Sequence, residues 1–181
     1  MANGDAMTTI ASTKIDTNTA AVDFTGIPDD GGSYQHYMLF MKICATETSL
    51  HALINGTSTV SNLYQLNGQY ASSNNAYTLG YNSASQSDRF QLLSPMTQNI
   101  TYFLQLWMPY ATSTHNMTTQ GGGKDLFIRG INTSTSYSYG YWASGKCYTA
   151  SAITSIRITG NSGSPIGVGS EFSLQGLPYP S

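Results

Sequence analysis

Charge is what this sequence has least of. Only 9% of its 181 residues are Asp, Glu, Lys or Arg, against about 25% in an average soluble domain. The seven cations, Lys14, Lys42, Arg89, Lys124, Arg129, Lys146 and Arg157, are scattered singly, and the net charge is −2. No basic face is formed that would attract a phosphate backbone, so nucleic acid is not an expected partner. Cysteine is also scarce. Cys44 and Cys147 lie far apart in no metal-like spacing, and Cys44, after an apolar strand-like run, is expected to be a buried free thiol. No run approaches the roughly 20 apolar residues of a membrane-spanning helix. Residues 1–15 lack the basic stretch and apolar run of a secretion signal. No membrane partner is expected, and without such a signal the N-x-S/T triplets at Asn55, Asn99, Asn116 and Asn132 carry no meaning.

Signatures of chemistry are missing as well. His36, His51 and His115 stand alone, with no H-x-H or H-x-x-x-H spacing. There is no G-x-S-x-G, and neither cysteine sits in a catalytic signature. Gly123-Lys124 is followed by Asp125 where a phosphate loop needs Ser or Thr, and Thr118 stands where its first Gly belongs. Gly167-Val168-Gly169 has Phe172 in place of a dinucleotide loop's third Gly. A glycosidase needs two carboxyls about 5 to 9.5 Å apart across the sugar. Asp88 could meet Asp125 or Glu171 in space, but nothing in the sequence favours either pairing. The expectation is a chain that is not an enzyme and needs no cofactor.

What replaces charge is Ser, Thr, Asn, Gln, Gly and 13 Tyr. Such a surface hydrogen-bonds well but does little to keep copies apart, as suits a protein of an assembly. An ordinary β-rich domain has a similar composition. No window shows helical spacing, whereas short alternating segments recur between turn signals. Val22, Phe24 and Ile27 lead into the turn Pro28-Asp29-Asp30-Gly31-Gly32. Residues 34–45 read as a long strand with Tyr37, Leu39, Met41 and Ile43 on one face. His36, Met38, Phe40, Lys42 and Cys44 take the other, which is also largely apolar. That marks an interior strand, or one whose outer face meets another copy.

Leu50, Ala52 and Ile54 share a face before Asn55-Gly56, a hairpin-turn signal because both residues tolerate positive φ. Further strands are predicted at 62–66, 77–81, 89–93, 100–108, 125–129, 136–141, 153–159 and 171–177. In the 100–108 strand Tyr102, Leu104, Leu106 and Met108 oppose Phe103, Gln105 and Trp107. Roughly eight to ten strands suit an all-β, jelly-roll-like antiparallel β-sandwich. Residues 1–19 are polar and aperiodic and read as an extended N-terminal arm taking order from a partner, or equally as a frayed terminus, followed by the sandwich domain at 20–181. In the arm, Ile10, Lys14 and Ile15 are candidate contacts. Tyr137, Tyr139, Tyr141 and Trp142 cluster among small neighbours, and three readings stay open for them: cross-strand packing, a protein interface, or sugar stacking.

Two stretches have a wider likeness. The first is AVDFTGIP at 21–28, then a turn and YQHYML at 34–39; the second is ITSIRI at 153–158, then a Gly-rich loop and GSEFSLQGL at 169–177. Together they resemble a β-sandwich module of tailed-bacteriophage virion proteins. That module opens on F-x-x-I-P and Y-x-H-L and closes on I-x-S-I-x-I and G-S-x-F-x-L-Y-G-I. Tyr37 and Met38 depart from the usual Leu, and Gln175 from the usual Tyr. The resemblance brackets residues 20–177 and implies a virion structural protein, a capsid decoration or cement protein on the outer capsid surface. Its implied partners are the major capsid protein and itself, as a homotrimer. The alternative is a tail-fibre or tail-tip protein that recognises host surface glycan through loops 112–123 and 137–142. A chain complete from Met1, with no stalk, is expected to favour the capsid.

Overall fold

In HYMLFMKIC the expected alternation is realised residue by residue. Tyr37, Leu39, Met41 and Ile43 are buried, and the residues between them are half-buried. A pleated strand sends successive side chains to opposite faces, so one face enters the core and the other looks out. The computed structural model describes residues 6–28, 34–46, 49–56, 63–71, 77–80, 89–93, 99–109, 111, 124–133, 140–147, 151–160 and 166–178. Among them are twelve strands: β1 (Thr8–Lys14), β2 (Ala21–Thr25), β3 (His36–Cys44), β4 (Leu50–Ile54), β5 (Leu63–Ala71), β6 (Tyr77–Gly80), β7 (Phe90–Leu93), β8 (Thr101–Met108), β9 (Lys124–Asn132), β10 (Gly140–Cys147), β11 (Ser155–Gly160) and β12 (Glu171–Leu177). The described chain is all-β.

The strands form two antiparallel sheets. The larger runs β1-β12-β3-β8-β9-β10-β5-β6 and the smaller β2-β11-β4-β7. Eight strands make a jelly roll, because outer strands pair with outer and inner with inner: β1 with β12, β2 with β11, β3 with β8, β4 with β7. Such a nested hairpin, rolled up, brings β12 beside β3 and β11 beside β4. The other four strands enter between β4 and β7 and between β8 and β11. They widen the larger sheet beyond β8.

Between the sheets lies one core. Leu39, Leu106, Ile128 and Leu174 from the larger sheet and Ala52, Phe90 and Ile158 from the smaller are fully buried. Each large aliphatic or aromatic side chain removed from water there contributes about 1.5–3 kcal/mol. Gly130 follows the same logic. A Cβ there would overlap the Leu104 side chain and the Phe103 carbonyl, so Leu104 takes the space and β9 runs on to Asn132.

Three expectations change. The N-terminal segment is extended, but it takes its order from this chain: β1 pairs with β12, and the peptide of Ile15 bonds to Ser170 and Gly169 at 2.8 Å each. Residues 8–15 thus belong to the sandwich. Asn55 and Gly56 adopt positive φ (58° and 64°) as predicted. The strand after that turn lies in the other sheet, however, so no hairpin follows. The Asn55 side chain instead clamps the start of β11, donating to the Ala152 carbonyl at 2.9 Å and accepting from the Thr154 and Ser155 amides at 2.8 and 3.3 Å. Both cysteines are free, and it is Cys147 that is buried, with Cys44 half-exposed at the end of β3.

Candidate functional site

The outward face of the larger sheet is where this chain departs from a solvated surface. Strand register sets its residues in rows. One row runs Lys14, Glu171, Lys42, Phe103, Ile131; the next Ser12, Ser173, Phe40, Gln105, Arg129; the third Thr9, Gln175, Met38, Trp107, Phe127. Among the described residues no strand packs over the face. Phe103, Trp107 and Ile131 are 45%, 41% and 60% exposed. The Trp107 ring meets Phe127 at 5.5 Å between centroids and His36 edge-on at 6.4 Å. A shallow trough of about 1030 Å³ crosses the face over β1, β12, β3, β8 and β9, and one of about 360 Å³ continues toward Trp107 and Phe127.

Its polar groups are tied to one another. Arg129 Nε donates to Gln105 Oε1 at 2.5 Å, and Gln105 Nε2 donates to the Met38 sulfur. Lys42 Nζ bonds Glu171 Oε1 at 3.2 Å across the β3–β12 pair. Partial burial holds His36 below the usual histidine range. On the core side, burial lowers the Lys124 ammonium, which lies opposite Cys147 in register; the charge interaction with that thiol opposes the shift. Among the described residues no three His, Cys, Asp or Glu side chains are grouped to hold a metal ion. Asp125 and Glu171 sit on strands three steps apart, about 14 Å at the usual strand spacing. Asp88 lies outside the described residues.

Of the residues singled out in the sequence, Lys14 lines the larger trough. Ile10, half-buried, falls at the bulge between Thr9 and Ala11 and packs against the core. Ile15 is a core residue, 8% exposed, turned away from any surface. Tyr137 and Tyr139 lie outside the described residues. Tyr141 and Trp142 fall in β10, opposite Gly130 and Arg129 on one side and Tyr70 and Gln69 on the other. That register continues the Gln105–Arg129 row. Sequence reasoning saw the apolar outer side of residues 36–44 but did not join it to Phe103, Trp107, Phe127 and Ile131 as one face. Their signal was the strands with apolar residues on both sides, β3 and β8.

The two quoted stretches, from opposite ends of the chain, form one unit. The first becomes β2 and β3, the second β11 and β12, and they pair strand for strand. The rings of Phe24 and Phe172 meet at 6.5 Å. The Tyr34 ring covers Gly176, where a Cβ would overlap it. Tyr37 is fully buried and its hydroxyl donates to the Pro28 carbonyl. Gly169 takes positive φ (86°) and Ser170 is wholly buried. The Ser170 Oγ accepts from the Cys44 amide at 2.9 Å while its carbonyl holds Ile15, joining β1, β3 and β12. No family model, curated protein or solved structure matches this chain.

Proposed function

We propose that this chain is a non-enzymatic structural protein of a tailed-bacteriophage particle, a decoration or cement protein that binds the shell of the major capsid protein and stabilises it. The observation that carries the reading is the pairing of the two resembling stretches. Residues about 130 to 150 positions apart in the sequence meet as β2–β11 and β3–β12, with Tyr34 on Gly176 and Phe24 against Phe172. A likeness confined to composition would have no reason to fall on contacting residues. The jelly roll also suits a particle role, since that architecture recurs in viral capsid domains. Copies are taken to act as homotrimers on the outer capsid surface.

A second reading has one observation in its favour. Trp107, exposed beside the planar Gln105–Arg129 pair, has the make-up of a sugar-stacking site. On that reading the protein sits at a tail fibre or tail tip and recognises host surface glycan. Quantitative mass spectrometry of purified virions separates the two. A copy number comparable to that of the major capsid protein supports the cement role; a few copies to a few tens per particle moves the protein to the tail. Absence from the virion overturns both.

A further inference from the structure

We infer that the outward face of the eight-stranded sheet is where copies of this chain meet, the face of one copy being covered by a second. This deepens the self-association in the functional reading and rests on that part of it. The outer side of an antiparallel sheet is ordinarily polar when it faces water. Here Met38, Phe40, Phe103, Trp107, Phe127 and Ile131 stand on it together. Of the five large hydrophobic side chains that are well exposed among the described residues, three are on this face. Monomeric proteins seldom leave contiguous apolar patches of more than a few hundred Å² open.

Size and charge both point to a second copy. Eight strands about 4.8 Å apart and about 25 Å long make a face of roughly 800 Å² in projection, which is what one partner contributes to a standard interface. The face carries both signs of charge, Lys14, Lys42 and Arg129 with Glu171 and Asp125. A strongly charged partner would call for one sign; a copy related by a symmetry axis needs both. With a net charge of −2 on the whole chain, copies meet little repulsion. The central polar side chains are already bonded to each other, so covering them strands few hydrogen-bonding groups.

Analytical ultracentrifugation of the purified full chain tests this, comparing the wild type with Trp107→Glu, the double variant Phe103→Glu/Ile131→Glu, and Arg157→Glu on the smaller sheet as a control. The wild type is expected to associate, the first two variants to weaken association by roughly thirty-fold or more, and the control to match the wild type. Circular dichroism checks that each variant is folded. Hydroxyl-radical footprinting of the wild type from about 1 to about 100 µM, a range bracketing ordinary self-association, needs no substitution. Protection of Met38, Phe103 and Trp107 should rise with concentration. A wild type that stays monomeric, variants that associate as tightly as it does, or unchanged footprints overturn the inference. So does protection that appears only when shells of major capsid protein are added. A chain that associates through this face but is absent from virions keeps the inference and sinks the phage reading; one found in virions yet monomeric does the reverse.

Discussion

The two sheets share a core and turn opposite chemistries outward. On the smaller sheet Asp23, Thr25 and Arg157 are exposed, with Thr159, His51 and Leu53 half-buried beside them. On the larger the corresponding positions are aromatic, aliphatic or Met in six places. Both faces hold an ion pair between residues directly opposite in register, Arg157–Asp23 and Lys42–Glu171, each at 3.2 Å. Backbone geometry is therefore not what separates them. The smaller face is polar, as suits water; the larger is apolar, as suits the second copy inferred above. A patterning rule that assigns one apolar face per strand describes β2 and β11 and breaks down at β3 and β8.

The sharpest contrast can be drawn within one strand. Leu106 is fully buried on β8 and its neighbour Trp107 points out. Leu106→Ala should cost about 2–5 kcal/mol, the lost transfer energy plus a cavity between the sheets, read as a lowered urea midpoint. Trp107→Thr should change the stability of the dissociated chain by less than about 1 kcal/mol. A large loss there would mean that the ring supports its own fold rather than a partner. Ser170→Ala ranks next. It orphans the Cys44 amide at the junction of β1, β3 and β12, at about 1–3 kcal/mol. Exchange of the Ile15 and Cys44 amides should quicken more than that of β11, confining the damage to the larger sheet.

How much of this was legible depended on side-chain contrast. β2, β3, β4, β8 and β12 could be read with their faces because large apolar residues alternate with smaller or polar ones. β1 could not: TTIASTK has one large apolar residue, Ile10, among Thr, Ser and Ala, and its membership in the sheet is decided by β12, over 150 positions away. β10, GYWASGKC, was cut short for the same reason, its later half, SGKC, carrying no large apolar residue. Asn55-Gly56 announced its backbone angles but not its partner, since the turn's hydrogen bonds go to β11. The exposed face was half visible, in the doubly apolar pattern of residues 36–44. That pattern alone does not separate a strand inside a sheet from one awaiting a copy. β3 is flanked by β12 and β8 and also has an open face.

A smaller effect is expected from His36, at the rim of the apolar face against Trp107. Burial disfavours its charged form, so its folded pKa lies below the unfolded value near 6.5. Above that value both states are neutral and stability is whole; as pH falls through the folded pKa, part of it is lost. The urea midpoint of the wild type should therefore decline from pH 7.5 to pH 5.5 more than that of His36→Gln. Equal declines would show that the apolar face leaves this histidine as water would.

The least of the expected effects, the two ion pairs, tests the comparison most directly. Their side chains are about equally exposed, 37% and 50% for Lys42 and Glu171, 53% and 48% for Arg157 and Asp23. In the dissociated chain each should contribute no more than about 1 kcal/mol and weaken with salt, because water screens both. Double-mutant cycles with Lys42→Met/Glu171→Gln and Arg157→Met/Asp23→Asn should return similar coupling energies. Under conditions where copies associate, the two should part. Covering the larger face removes water from Lys42–Glu171 and strengthens the attraction between its charges, so its coupling should rise and become less sensitive to salt. Arg157–Asp23, still in water, should stay as it was. If both pairs keep the same coupling at every concentration, the difference between the faces lies in composition alone.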